Sequence, residues 1–175
     1  MLLWDNIQQA IDYHQQALFI RREIGDKRGE GNDLGNLGNA YFSLGEYQQA
    51  IDYYQQALDI AEEIGDIRGK GNRLGNLGNA YASLREYQQA IDYHQQALVI
   101  SREIGDKRGE GDDLNNLGVT YESLEDYERA IEYHQQALTI RLELGVPHLI
   151  EQSEHNLAIV QQKLTEQQGN AGDES

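Results

Sequence analysis

The sequence predicts an all-α solenoid in which about eight helices stack as successive antiparallel pairs. Residues 26–65 and 66–105 are identical at 31 of 40 positions, and residues 66–105 and 106–145 at 23 of 40. Each 40-residue copy contains two apolar stripes with the spacing of an α-helix. Neither helix can bury its stripe alone, whereas stacked copies can bury both, and that is the logic of a solenoid.

Each copy therefore predicts two helices, A and B. In the first copy the stripe of helix A is formed by Leu34, Leu37, Gly38, Tyr41 and Leu44. The stripe of helix B is formed by Tyr47, Ala50, Ile51, Tyr54, Ala57, Leu58, Ala61 and Ile64. Gly45-Glu46 separates the two helices. At the end of helix B, Gly65 suits the left-handed C′ position, and Asp66 suits the N-cap of the next helix A.

The phase of the repeat defines the remaining elements. Residues 1–25 match helix B alone, with Ile7 and Ile11 on its stripe, so they predict an orphan helix. Three full units follow at residues 26–65, 66–105 and 106–145. Pro147 suits the first turn of a closing helix A over residues 146–164. We therefore expect one solenoid over residues 1–164 and a disordered polar tail over 165–175.

These residues resemble the tetratricopeptide repeat (TPR). The family's helix A pattern is matched by Leu34, Leu37-Gly38 and Tyr41, and its helix B pattern by Ala50, Tyr54 and Ala57, with the same positions returning in both later copies. The period of 40 exceeds the commoner 34, and Gly-Asp replaces the proline that usually ends helix B. Both features resemble a longer subclass found in spindle-orientation scaffolds and bacterial signalling proteins. The resemblance implies a right-handed superhelix that binds extended peptides in a concave groove lined by A helices.

Composition excludes several classes of protein. A net charge of −16 disfavours nucleic acids and anionic membranes as partners. The absence of cysteine excludes disulfides and thiol chemistry. The first residues lack the features of a signal peptide, so we expect a cytoplasmic protein. The acidity is uneven, because residues 66–105 carry five basic and four acidic side chains, so an acidic peptide can dock near that copy.

The helix A face opposite the core stripe is the candidate peptide-binding groove. Asparagine and glycine are poor helix formers, so their recurrence on this face indicates contacts with a ligand. Asparagine amides can bond a peptide backbone, and arginines can clamp carboxylates. The candidate groove residues are Arg28, Asn32, Asn36, Asn39, Phe42, Arg68, Asn72, Asn76, Asn79, Arg108, Asn115 and Asn116.

Structural alternatives stay open for some of these residues. Asn36, Asn76 and Asn116 can instead bond one another or the backbone across adjacent repeats. Phe42 is the expected binding hot spot, and packing against a neighbouring helix is its alternative role. The third copy is more acidic, because Asp112, Val119 and Glu122 replace Asn72, Asn79 and Ala82.

No residue set predicts catalysis, a cofactor or a metal site. His14, His94 and His134 share one repeat position, but Tyr54 occupies the same position, which indicates a packing role. The glycines near Gly29 miss the spacing of a phosphate-binding loop and follow no strand. We therefore expect a non-enzymatic protein.

Three functions remain. The first is a scaffold that binds an extended protein or peptide segment in the groove. The second is self-association to a homo-oligomer, because the orphan helix leaves Leu3, Trp4 and Ile7 without the helix against which they would pack. The third is a sensor arm of a larger signalling protein.

Overall fold

The structure is a computed structural model that describes the backbone of residues 2–173 and the side chains of residue 4 and residues 6–169. Within residues 2–173 the chain forms eight α-helices and no strand, as the sequence predicts. The helices are α1 (Leu2–Ile24), α2 (Lys27–Ser43), α3 (Tyr47–Glu63), α4 (Ile67–Ser83), α5 (Tyr87–Glu103), α6 (Lys107–Ser123), α7 (Tyr127–Leu144) and α8 (Pro147–Asp173).

The turns that join one 40-residue copy to the next have the predicted geometry. Gly25, Gly65 and Gly105 adopt φ angles of 73°, 68° and 69°, in the left-handed region that favours glycine. The next residue in each case is an aspartate whose side chain accepts a hydrogen bond from the backbone N–H three residues on, at 2.9 to 3.0 Å. The helices α2, α4 and α6, which are the A helices of the three full copies, therefore start at a side-chain N-cap.

The chain divides into two compact units, residues 1–93 and 94–175. In the first unit, α2 and α3 pack against each other, and Tyr41 stacks on Tyr53 at 5.2 Å between ring centroids. The ring of Tyr54 lies against Gly38, where a side chain would leave no room for it. The helix α1, which matches helix B, packs on α2 through the buried Ile11 and Leu18.

The second unit repeats this packing with α6, α7 and α8. Tyr121 stacks on Tyr133 at 5.3 Å, and the ring of His134 lies against Gly118. Leu114 and Leu117 of α6 are fully buried. The closing helix α8 packs against α7 and buries Ser153 and Val160.

One boundary differs from the expectation. The helix α8 begins at Pro147 as predicted, but it continues to Asp173, so residues 165–173 are helical and not a disordered tail. The side chains of residues 165–169 are exposed. No helix among the described residues has the length and apolarity required to cross a bilayer.

Candidate binding groove

A cavity of about 250 Å³ opens between α2, α3 and α4 in the first unit. Its lining consists of Asn39, Phe42, Ser43, Tyr54, Asn76 and Asn79. Four of these six are among the residues that the sequence assigns to the groove. The repeat places them together because α2 and α4 are both A helices, so the same helix face recurs one copy later.

Hydrogen bonds link the amides that line this cavity. Tyr54 Oη donates to Asn39 Oδ1 at 2.8 Å, and Asn76 Nδ2 donates to the same oxygen at 3.3 Å. Asn76 therefore bonds across adjacent copies, as the structural alternative allowed, but its partner is Asn39. The oxygen of Asn39 is occupied within the fold, while the Asn39 nitrogen and the Asn79 amide make no hydrogen bond to a residue that the structure describes.

Phe42 lies at the rim of the cavity and is partly buried. Its ring packs edge-on against Tyr47, with ring centroids 5.2 Å apart and an interplanar angle of 60°. Phe42 therefore packs within the fold and also presents ring surface to the cavity.

The other groove candidates of the first unit lie on its surface. Arg28, Asn32, Asn36, Arg68 and Asn72 are exposed. A narrow cleft lies between α2, α3 and α4. Arg28 and Asn32 of α2 and the half-buried Arg73 of α4 are among the residues that line it. Arg68 has an interaction partner.

The groove candidates of the second unit differ from one another in burial and in hydrogen bonding. Arg108 is exposed, but Asn115 is buried and its Oδ1 accepts a hydrogen bond from Asn156 Nδ2 at 3.0 Å. Asn116 is partly buried, and its backbone oxygen accepts from Thr120. Asn115 therefore serves the packing of α6 against α8.

The acidic side chains of the third copy are paired within the fold. Asp112 lies 3.2 Å from Arg141, and Glu122 lies 2.7 Å from Lys163. Val119 is 43% exposed. The groove face of α6 thus presents an apolar side chain between two ion pairs.

Three residues of this region, Ser43, Tyr54 and Arg73, were not among the sequence candidates. Tyr54 belongs to the core stripe, yet its hydroxyl reaches the cavity, and burial raises the pKa of Tyr54 to about 12 while Arg73 opposes that rise. Arg73 lies against Gly35 of the preceding copy. Sequence could have flagged Arg73, because the first and third copies have the aspartates Asp33 and Asp113 at its position.

The histidines behave as packing residues. His94 and His134 are buried, and none of their ring nitrogens has a hydrogen-bond partner in the described chain. Burial lowers the pKa of His94 to about 4 and lowers the pKa of His134 below its ordinary value. His14 is partly exposed, with Nδ1 3.0 Å from Asp33 Oδ1. No group of three metal-ligating side chains occurs among the residues described.

The three residues proposed for self-association have different surroundings. Trp4 is 60% exposed. Ile7 is partly buried and packs against the core between α1 and α2. The side chain of Leu3 lies outside the described residues.

The fold and the amide-lined cavity together define a helical-repeat protein, built from A and B helices with A-helix side chains around a cavity. The family model for the tetratricopeptide repeat matches residues 5–63 and 72–143. The chain therefore belongs to the tetratricopeptide repeat family. No curated protein matches the sequence significantly.

Solved structures support the same assignment. The chain is similar to BtubC from P. vanneervenii, at 26% identity and a TM-score of 0.84, over 91% of this chain and 67% of that one. It is also similar to a signal transduction ATPase with numerous domains and a tetratricopeptide repeat sensor from Pyrococcus horikoshii, at 27% identity and a TM-score of 0.78. That match covers 88% of this chain but only 24% of the ATPase. Aspartyl phosphate phosphatase F from Bacillus subtilis, 19% identical with a TM-score of 0.82, shares the fold.

Proposed function

We propose that this protein is a non-enzymatic scaffold that binds an extended peptide through the cavity between α2, α3 and α4. The observation that supports this proposal is the cavity lining, in which the side-chain nitrogen of Asn39 and the side-chain amide of Asn79 make no hydrogen bond to a described residue. Such amides match the alternating donors and acceptors of an extended peptide backbone. Phe42 supplies the apolar contact that anchors a side chain.

Selection from a display library of 12-residue peptides, with the full chain as bait, tests this function. Asn79→Ala and Phe42→Ala should each weaken the selected peptides about tenfold, which corresponds to about 1.4 kcal/mol. Asn6→Ala is the matched control, because Asn6 is an exposed asparagine on α1 that does not line the cavity. Affinities that stay equal in all variants, or a library that yields no binder, would contradict the proposal.

Self-association is a second candidate function, and one observation favours it. On α1, Tyr13 and Ile20 are 61% and 57% exposed. At the repeat position of Ile20, the isoleucines Ile60 and Ile140 are only 8% exposed, each packed against a glycine of its own helix A. The face of α1 that an A helix covers elsewhere is thus open to a second copy of the chain.

Light scattering across protein concentration tests this second function. Ile20→Ser should shift the mass towards the monomer, whereas Val99→Ser should not, since Val99 is an exposed apolar residue on α5 outside that face. A wild-type chain that stays monomeric at every concentration would rule self-association out. The role of a sensor arm stays a prediction that the full reading frame tests.

A further inference from the structure

The helix α1 carries the side chains with which the other B helices hold their own helix A. Four residues of this face, Ala10, Tyr13, Ala17 and Ile20, are identical at the matching positions of α3, α5 and α7. In the three full copies both alanines of this set are at most 1% exposed. On α1 the same alanines are partly exposed, and the tyrosine and the isoleucine are open to solvent. The described chain therefore leaves a complete face for a helix A uncovered.

The full copies show what such a face binds. In the first copy a Cβ built on Gly31 of α2 would lie 3.0 Å from Ile60 Cγ2, so a larger residue than glycine would press on that isoleucine. Ten residues after this glycine, Tyr41 of α2 stacks on Tyr53 of α3. The third copy repeats both contacts at the same spacing. A helix that fits α1 must therefore present a glycine and, ten residues later, a tyrosine.

An ion pair adds a requirement at one end of the face. Lys27, the first residue of α2, has its Nζ 3.2 Å from a carboxylate oxygen of Glu63, the last residue of α3. Glu23 occupies the same repeat position on α1 and is exposed. A helix with a lysine four residues before its glycine can place that ammonium beside Glu23. Exposed ion pairs add little affinity, so this contact mainly fixes the direction of the helix.

The driving force for docking is the apolar surface of this face. Ile24, one turn beyond Ile20, is 67% exposed, whereas Ile64 at the same position of the first copy is partly buried. Covering Tyr13, Ile20 and Ile24 removes three large apolar side chains from water. A helix with an apolar stripe supplies the complementary surface.

A second copy of the chain matches this face poorly. The A helices α2, α4 and α6 already pack on their own B helices. The closing helix α8 is also of A type, and on the side that faces a B helix it carries the exposed side chains Glu151, Glu154 and Gln161 where α6 has Gly111, Leu114 and Tyr121. Contact with α1 would take two carboxylates out of water, which is costly. A second copy also brings a further charge of −16, which opposes association.

We propose that the open face of α1 is a docking site for an amphipathic helix of a partner protein. This partner helix carries a lysine, a glycine and a tyrosine at the spacing of Lys27, Gly31 and Tyr41, and leucines between the glycine and the tyrosine. It takes the place beside α1 that a helix A takes beside the B helix of each full copy. None of the residues that line the amide cavity lies on α1, so docking here is separate from peptide binding there. Self-association requires the same face, so the two occupants compete.

A synthetic peptide with the sequence of residues 26–46, which span α2 with its N-cap and the following turn, is the probe. Fluorescence anisotropy of the labelled peptide, titrated with the full chain, should show saturable binding of one peptide per chain. Gly31→Leu in the peptide should weaken binding about tenfold, because the leucine overlaps Ile20. Asn36→Leu is the matched control, since it adds the same side chain at a position that is exposed on α2, and it should bind at least as tightly as the parent peptide.

Variants of the chain locate the bound peptide. Ile20→Ser should weaken binding about tenfold or more, because it removes a large apolar contact. Val99→Ser removes an exposed apolar residue of α5 and should leave the affinity unchanged. Asn79→Ala, in the lining of the amide cavity, should also leave it unchanged. Ile20 is exposed, so the urea midpoint of Ile20→Ser should equal that of the wild type, and the loss of binding then reflects the face and not the fold.

Several outcomes would overturn the docking site. Equal affinity for the wild type and Ile20→Ser, or weaker binding by Asn79→Ala, would place the peptide elsewhere on the chain. Absence of saturable binding up to about 1 mM would show that the face does not accept a helix of A type. In light scattering, a dimer that the peptide leaves intact would assign the face to a second copy, whereas a dimer that dissociates as the peptide binds would support the proposal. The display library tests the groove by itself, so failure at α1 leaves the scaffold function standing.

Discussion

At the residue scale, two glycines inside the A helices, Gly38 and Gly118, leave room for the rings of helix B. Gly38 leaves room for Tyr54, and Gly118 leaves room for His134, with a built Cβ only 2.5 and 2.6 Å from the nearest ring carbon. Glycine is a poor helix former, so these positions sacrifice helix propensity for close packing between helix A and helix B. The two rings are rigid and buried, so neither can move aside at low cost.

Gly118→Ala should therefore lower the free energy of unfolding by about 1–3 kcal/mol through overpacking, in spite of the better helix propensity of alanine. Gly169→Ala is the control, because Gly169 is an exposed helical glycine with no atom within 4 Å of a built Cβ. That control should gain up to about 1 kcal/mol. Urea unfolding measures both, and equal changes in the two variants would contradict the packing argument.

The buried histidine His94 predicts a pH effect on stability. Its pKa falls to about 4 in the fold, below the value of about 6.5 expected in the unfolded chain. The unfolded state therefore binds a proton first as the pH falls from about 6.5 towards 4, and the stability present above pH 6.5 is lost across that window. Raising the pH above 7 should not change this contribution.

His94→Tyr, which introduces the residue that Tyr54 shows to fit this position, should abolish the effect. Between pH 7 and pH 5 the wild type should lose about 2 kcal/mol more than this variant. Burial raises the pKa of Asp113 to about 7, so the contribution of Asp113 to stability depends on pH in the opposite sense. Both chains contain Asp113, so its contribution cancels in the comparison. Parallel pH profiles for the wild type and the variant would contradict the assignment.

At the scale of the element, helix starts differ in how they are capped. Asp66 accepts the N-cap hydrogen bond of α4, whereas Glu46 at the start of α3 makes no side-chain cap. Asp66→Ala should therefore cost about 1 kcal/mol of stability, and Glu46→Ala only a few tenths. Thermal unfolding of the two variants decides between them, and equal losses would show that the side-chain cap is unimportant.

The turns between helix A and helix B vary between copies. Gly45 has a φ of 78°, but Arg85 and Glu125 occupy the same left-handed conformation at 62° and 59°. A side chain is strained there, so Arg85→Gly should raise the free energy of unfolding by about 1 kcal/mol. Arg85→Ala serves as the control, since alanine removes the side chain without relieving the backbone, and it should give no gain in chemical denaturation.

Most of the elements could be predicted from the sequence, because their signals are local. The spacing of Leu34 and Leu37 and the Gly65-Asp66 pair define a helix and its boundary within a few residues of chain. The end of α8 could not be placed, since residues 165–173 are polar and carry no apolar stripe that distinguishes helix from coil. The candidate site was only partly predictable, because Arg73 depends on Gly35, which lies 38 residues earlier.

The first and last described helices, α1 and α8, each have a face that packs against no other helix. The two faces differ in polarity. In α8, Glu154 and Gln161 replace the buried Leu114 and Tyr121 of α6 and are exposed, so its free face is polar. In α1, the free face carries the apolar side chains Tyr13 and Ile20. A polar outer face is the usual property of a capping helix in a repeat protein.

At the scale of the whole molecule, the net charge lowers the stability of the folded state. Thirty acidic and fourteen basic residues leave a net charge of −16, which destabilises a compact state by self-repulsion. Raising the ionic strength from about 10 mM to about 150 mM shortens the screening length from about 30 to about 8 Å. The urea midpoint should therefore rise with NaCl, and KCl should give the same rise. A midpoint that falls would show that the intramolecular ion pairs outweigh the repulsion.

The turns that join one 40-residue copy to the next also affect how the length of such a chain can change. Each junction joins a left-handed glycine to an aspartate cap, with the same hydrogen bond after Gly25, Gly65 and Gly105. An exchange between two such turns removes or duplicates one whole 40-residue copy. It leaves helix A and helix B of every remaining copy intact. Because neighbouring copies are identical at as many as 31 of 40 positions, a copy that is removed or duplicated leaves similar helices facing one another across the new turn. The turn that ends a helix thus also sets the step by which the array can lengthen or shorten during evolution.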